Sequence, residues 1–64
     1  MMRFVIVEHS AGYGWLRFSV ADVDGSWRLE RLFLGYSRRR CVDEMKKHAR
    51  ERFGLKKAKF VVYS

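Results

Sequence analysis

Residues 37–54 read SRRRCVDEMKKHARERFG, and this stretch decides the fold. Ser37 stands at the N-cap position, where a hydroxyl can accept a hydrogen bond from the first helical turn, and Gly54 stands where many helices end in a left-handed residue. The pattern therefore predicts a helix over residues 38–53 with one apolar side. The apolar residues that recur at helical spacing are Cys41, Val42, Met45, Ala49 and Phe53.

Two segments ahead of the helix have the patterns of β-strands. Residues 3–8 are apolar at four consecutive positions, which is typical of a strand that is central in a sheet or buried on both faces. Residues 15–20 alternate between apolar and polar side chains, which predicts a strand with one buried and one exposed face. The Asp24-Gly25 pair then supplies residues that tolerate positive φ, so we expect a hairpin turn after the second strand.

Residues 27–34 form the third predicted strand, but their alternation is less regular. Leu29 and Phe33 fall on one face, while Leu32 and Leu34 fall on the other. A β-bulge would reconcile these positions, so we expect one in this strand.

The last predicted strand lies at residues 59–63, after the helix and a short loop. Because the helix can cross over the sheet, this strand should run parallel to the first and third strands. The two most apolar strands, at 3–8 and 59–63, should lie side by side. The sequence thus predicts one α+β domain over residues 1–64, a mostly antiparallel four-stranded sheet in the order 3-2-1-4 with one helix packed on one face.

Positive charge is concentrated in the second half of the chain. The net charge is +7, and the region from Arg38 to Lys59 has ten basic and three acidic residues, so the entire surplus lies there. A one-sided field of this kind attracts polyanions. Nucleic acid is the partner that this distribution favours most, and an acidic protein is the alternative.

Other features limit where the protein acts. A lone cysteine, Cys41, excludes an internal disulfide framework and favours a reducing compartment. The apolar run at the start is too short for a signal peptide, and no stretch approaches the ~20 apolar residues of a membrane-spanning helix. We therefore expect a cytoplasmic protein, or a nuclear one if its source has a nucleus, with no membrane partner.

Signals for catalysis are poor. Cys41 fits the apolar side of the helix, although the neighbouring arginines would lower its pKa. Cys41 and His48 lie seven residues apart, which separates them by about 10 Å along a helix and prevents a thiolate-imidazole pair. His9 and His48 do not have metal-ligand spacing. We expect a non-enzymatic protein with no metal and no cofactor.

Basic residues on and beyond the helix form the first candidate site. Three arginines occupy the first helical turn, where the helix dipole is positive and each cation costs a few tenths to ~1 kcal/mol. Arginines beside free helix N–H groups suit a phosphate, and the alternative is that solvent screens them. The side of the helix opposite the apolar residues is expected to carry Lys46, Lys47 and Arg50. Asp43 can pair there with Lys47, four residues further on. The candidate phosphate contacts are Arg38, Arg39, Arg40, Lys46, Lys47, Arg50, Lys56 and Lys57.

The open face of the sheet is the second candidate surface. Trp15 and Arg17 belong to it, and the third strand adds either Trp27 and Arg31 or Arg28, depending on the bulge. Exposed aromatic side chains interleaved with arginines suit base stacking and backbone contact. A second apolar layer or a dimer interface would use the same tryptophans.

The segment LGYS at residues 34–37, followed by the amphipathic helix, resembles a known junction. It is similar to the strand-to-helix turn of the three-stranded-sheet DNA-binding domains of phage-type tyrosine integrases and plant ethylene-response factors. The resemblance extends over residues 15–53. It implies a sheet that enters the major groove of DNA through Trp15, Arg17, Trp27 and Arg28.

The sequence as a whole favours a small basic domain that binds nucleic acid, DNA or RNA, or associates with a nucleoprotein. Phosphate contacts through the helix side would position such a domain without specifying a base sequence. The alternative is a protein-interaction module, either a monomer or a homodimer through the open sheet face, whose basic side engages an acidic partner.

Overall fold

The computed structural model describes residues 2–9, 12–54 and 57–63. The chain order is strand, strand, strand, helix, strand, as predicted, and the helix has the predicted bounds. Among the described residues, there is no helix of sufficient length and apolarity to span a membrane. The elements are β1 (Met2–His9), β2 (Trp15–Asp22), β3 (Arg28–Leu34), α1 (Arg38–Phe53) and β4 (Ala58–Tyr63).

The four strands form one sheet in the predicted order, β3-β2-β1-β4. β2 pairs antiparallel with both β1 and β3, while β4 pairs parallel with β1. The sheet is therefore mixed, because α1 carries the chain from one edge strand to the other and a parallel pair requires such a connection. β1, the most apolar strand, is central.

The core lies between α1 and one face of the sheet. The helix buries Cys41, Met45 and Ala49 against side chains of β1 and β2 that alternate along each strand. On β1, Phe4 and Ile6 are buried, while Val5 between them is only half-buried on the opposite face. We call the face that α1 packs on the covered face and the opposite one the open face.

Both ends of α1 have the caps that the sequence predicts. Ser37 has an extended backbone, and its Oγ accepts a hydrogen bond from the Arg40 N–H at 3.2 Å. Gly54 is left-handed, with φ of 63°, and its N–H reaches the carbonyl oxygens of Arg50 and Glu51. A side chain at this φ would be strained, so the glycine fixes the end of the helix.

The bulge expected in β3 is absent, and that prediction was wrong. β2 and β3 pair in unbroken register from Trp15 opposite Leu34 to Ala21 opposite Arg28. Strict alternation therefore leaves Leu32 and Leu34 on the open face, where they are 60% and 57% exposed. β3 can leave these two leucines exposed because Leu29 and Phe33, on the covered side of the strand, are the side chains that pack against the core.

Candidate nucleic-acid interface

The three arginines of the first helical turn have different surroundings. Arg38 Nε donates to both carboxylate oxygens of Glu8, at 2.9 and 3.0 Å. Arg40 stacks on an aromatic ring, with its Cζ 4.3 Å from the centroid of Tyr36. Arg39 is exposed, and none of the ion pairs among the described residues includes it. These contacts with Glu8 and Tyr36 offset part of the cost of placing cations at a positive helix end.

Two cations farther along the helix share one aromatic ring. Lys46 Nζ lies 5.7 Å, and Arg50 Cζ lies 5.1 Å, from the centroid of Phe60. Residues four apart lie on the same side of a helix, and strand alternation points Phe60 of β4 toward that helix. Lys46 is consequently half-buried on the side of α1 that faces β4, not opposite the apolar side as predicted.

Arg39 lies on the same side of α1 as these two residues. The spacing of seven and eleven residues from Arg39 to Lys46 and Arg50 returns to one side of the helix after two and three turns. The three span about 16 Å along the helix axis, which equals about five steps along the axis of a DNA duplex, where each strand has one phosphate per ~3.4 Å. We name Arg39, Lys46 and Arg50 the basic flank. Among the described residues, no carboxylate pairs with any of them.

The remaining helix-side candidates, Lys47, Lys56 and Lys57, do not belong to the basic flank. Lys47 pairs with Glu51, at 4.0 Å, and not with Asp43, the partner expected from the sequence. Lys57 is exposed just ahead of β4. Lys56 lies outside the described residues.

On the open face, the candidate arginines share a carboxylate. Arg17 Nη1 lies 3.7 Å from Glu30 Oε1, and Arg28 Nη2 donates to Glu30 Oε2 at 3.0 Å. Arg28, and not Arg31, is the β3 arginine on this face, because the strand has no bulge. Trp15 lies beside Leu34 and is 43% exposed. This part of the sheet therefore combines apolar surface with arginines that already have an anionic partner.

Trp27 does not belong to the open face, contrary to one of the two arrangements predicted. It lies on the covered side, edge-on to Phe4 and Phe53, with ring centroids 6.2 and 5.3 Å away. The physical reason is again the regular register of β3, which places odd-numbered positions beneath the helix. Trp27 closes the core at the C-terminal end of α1.

Cys41 lies in the core, as predicted, and is fully buried. Burial raises the pKa of its thiol and is the largest influence on it, with a further increase from Glu8. The neighbouring Arg40 lowers this pKa, as expected from the sequence, but burial outweighs it. The thiol is therefore unsuited to nucleophilic chemistry.

Two aromatic residues that matter to this surface were not among the sequence candidates. Phe60 lies beneath Lys46 and Arg50, and Tyr36 lies beneath Arg40. Alternation in the last strand already places Phe60 on the helix side, and the i,i+4 spacing of Lys46 and Arg50 could have indicated a shared neighbour. Tyr36 had no comparable signal, because its ring position depends on the loop after β3.

Comparison of the chain with protein-family models, with curated proteins and with solved structures gives no match. The resemblance to the integrase and ethylene-response-factor domains therefore stays a prediction.

Proposed function

We propose that this protein is a small basic nucleic-acid-binding domain that contacts phosphates through the basic flank. The observation that carries the proposal is the contrast in pairing: Lys46 and Arg50 have no carboxylate partner among the described residues, whereas Arg17 and Arg28 on the sheet share Glu30. An unpaired cation exchanges only water and counterions for a phosphate, while a paired one must also give up its carboxylate.

The shared ring gives the basic flank a defined geometry. Phe60 stacks on the buried Phe4, with ring centroids 5.3 Å apart, so its position is fixed by the core. Lys46 and Arg50 both lie over this ring although like charges repel. A phosphate between or above them would relieve that repulsion, and the guanidinium of Arg50 can donate two parallel hydrogen bonds to it.

The remaining candidates have graded roles in this proposal. Arg39 extends the basic flank toward the start of α1, and Lys57 adds charge near the start of β4. Arg38 contributes less, because a phosphate would compete with Glu8 for it. Arg40 stacks on Tyr36 as Arg50 stacks on Phe60, and this contact leaves its N–H groups able to donate to a phosphate at the start of α1. Contacts of this kind fix the position of the domain on a phosphate backbone without reading bases, so we expect little sequence preference.

The test is fluorescence anisotropy with labelled single-stranded and duplex DNA and RNA across a series of salt concentrations. We expect the logarithm of the binding constant to fall linearly with the logarithm of salt concentration, because binding releases counterions. The double variant Lys46→Gln/Arg50→Gln should weaken binding and reduce that slope by about two, one for each lost phosphate contact.

The matched control is Arg17→Gln/Arg28→Gln, which removes the same charge from the open face. We expect this control variant to bind slightly more weakly because of its lower net charge. Its binding constant should depend on salt concentration with the same slope as that of the unmodified protein. If the control variant loses binding while the flank variant keeps it, the sheet is the contact surface, as the resemblance to the DNA-binding domains implies. Absence of binding to every probe at low salt would refute the proposal.

A second candidate function, a homodimer through the open face, is favoured by one observation. Trp15, Leu32 and Leu34 form a contiguous row on β2 and β3 and are each more than two fifths exposed. Exposed apolar groups that adjoin one another are typical of protein contacts. Sedimentation velocity of the protein and of Leu32→Ser/Leu34→Ser tests this: a dimer that the substitutions dissociate supports it, and a monomer at millimolar concentration excludes it.

A further inference from the structure

β4 has an uncovered edge that the proposed function does not use. Within the part of the chain that the structure describes, it is an edge strand of the sheet and pairs only with β1. Its last residues, Val61, Val62 and Tyr63, are 45%, 47% and 57% exposed, although Val62 lies on the covered side by alternation. The helix packs mainly over β2 and β1, which leaves the end of β4 bare on both faces. Backbone groups along such an edge can pair with another strand.

A depression on the open face adjoins this edge. It has a volume of about 340 Å³ and is lined on one side by Val5, Val61 and Tyr63. Arg3 and Lys59 line its other side, beside Val23. The depression therefore has an apolar half toward the end of β4 and a cationic half toward its start.

The cationic half consists of like charges on neighbouring strands. Arg3 and Lys59 are register partners in the parallel pairing of β1 with β4, and both are exposed. Among the described residues, neither belongs to an ion pair. Like charges on adjacent strands repel, so this position departs from the usual pairing preference of sheets. An anionic side chain placed beside Lys59 would relieve the repulsion.

We propose that β4 and this depression bind an extended segment of a partner protein, which adds to the sheet as a fifth strand next to β4. Its backbone pairs with the free edge, its apolar side chains contact Val61 and Tyr63, and its carboxylates contact Lys59 and Arg3. Strand addition takes affinity from backbone hydrogen bonds and specificity from alternate side chains. The inference is independent of the nucleic-acid proposal, because the basic flank lies on the covered side.

Charge selects an acidic segment over a second copy of this chain. Each copy carries a net charge of +7, and pairing two β4 edges would bring two sets of Lys59 and Arg3 toward each other. An acidic strand instead neutralises charge as it binds and is attracted from a distance. A nucleic acid lacks the alternating backbone donors and acceptors that a strand edge pairs with.

The probe is the peptide acetyl-Val-Thr-Val-Thr-Glu-Thr-Glu-amide, titrated to several millimolar into ¹⁵N-labelled protein and followed by ¹H–¹⁵N correlation spectra. In antiparallel pairing, its valines lie beside Tyr63 and Val61 and its first glutamate beside Lys59, all on the open face. We expect shift changes concentrated in β4. A peptide with lysine in place of glutamate should bind at least tenfold more weakly. So should a peptide with N-methyl groups at both its third and fourth residues, because one of these two adjacent N–H groups must face β4.

Two double variants of equal charge locate the contact. Arg3→Gln/Lys59→Gln should weaken peptide binding at least tenfold, while Lys46→Gln/Arg50→Gln should change it less than threefold. No shift at the highest peptide concentration, equal binding of the N-methylated or lysine peptide, or a loss confined to the Lys46/Arg50 variant would each overturn the inference. Because nucleic acid is absent from the experiment, failure of the nucleic-acid proposal would leave these outcomes unchanged.

Discussion

The two faces of the sheet differ although they are made by the same strands. On the covered face, Phe4 and Phe18 are at most 1% exposed. On the open face, Trp15 and Leu32 are 43% and 60% exposed. Successive side chains of a strand point to opposite faces of the sheet, so a core residue and a surface residue can be neighbours in sequence.

This difference separates the side chains that stabilise the fold from those that are left without a full set of partners. The covered face contains the aromatic contacts and the apolar burial, which at ~25 cal/mol per Å² provides most of the stabilisation available to so short a chain. The open face and the basic flank retain apolar and charged groups without a full set of partners. Substitutions on the two faces should therefore have different consequences, and three predictions test this comparison, beginning with the largest effect.

Phe4→Ala should have the largest effect on stability. Phe4 contacts Trp27, Phe53 and Phe60, with ring centroids 5.3 to 6.2 Å away, and is fully buried. Truncation of a buried phenylalanine costs about 3–5 kcal/mol, which is comparable to the whole stability of a domain of this size. Urea unfolding followed by far-UV circular dichroism should show a protein that is largely unfolded in water.

The adjacent residue provides the control. Val5→Ala changes the open face of the same strand, where the side chain is only half-buried, and should cost about 1 kcal/mol. Val20→Ala makes the same truncation at a fully buried position of the covered face, and it keeps the transition measurable if Phe4→Ala does not fold. Equal losses of free energy of unfolding for Val20→Ala and Val5→Ala would contradict the distinction between the faces.

The two tryptophans give the second comparison. Trp27 packs against Phe4 and Phe53 on the covered side, so Trp27→Ala should cost about 3 kcal/mol of free energy of unfolding. Trp15 lies on the open face, and Trp15→Ala should cost about 1 kcal/mol or less. Both values come from urea unfolding followed by circular dichroism. A larger loss for Trp15 would indicate that a second apolar layer, such as a dimer contact, covers the open face.

Much of the fold could be predicted because its signals are local. Helical spacing between Ser37 and Gly54 gave the helix and its caps, and the apolar character of the first and last strands placed them side by side. The prediction of a bulge in β3 assumes that every leucine of the strand is buried. Leu32 and Leu34 show otherwise, since an edge strand can leave large apolar side chains exposed.

The candidate site was less predictable because it depends on pairing in three dimensions. The sequence identifies the cations, but the partner of Arg38 is Glu8, thirty residues away, and the ring beneath Lys46 and Arg50 comes from β4. Arg3 and Lys59 are likewise distant in sequence and adjacent only through the parallel pairing of β1 with β4. Charge counts locate a basic region, whereas pairing decides which of its members are free to bind.

The smallest predicted effect concerns Asp22, at the margin of the covered face. The Ser26 hydroxyl donates to one carboxylate oxygen, and the Trp27 N–H donates to the other at 3.2 Å. The hydrogen bond from Ser26, aided by backbone N–H groups, outweighs burial and lowers the pKa of Asp22 below its ordinary 3.8. A lowered folded-state pKa adds stability that is fully present above pH 3.8 and is lost as pH falls through the folded-state value.

Asp22→Asn removes this titration while it retains the shape of the side chain. The difference in free energy of unfolding between the two proteins should favour the unmodified chain at pH 6 and shrink as the pH falls to about 2.5, because only the unmodified chain loses the Asp22 contribution. Urea unfolding at both pH values measures it, and other carboxylates cancel in the difference. Ser26→Ala should reproduce part of the effect, since it removes the largest cause of the lowered pKa. A difference that grows on acidification would mean that burial, and not the hydrogen bond from Ser26, governs Asp22.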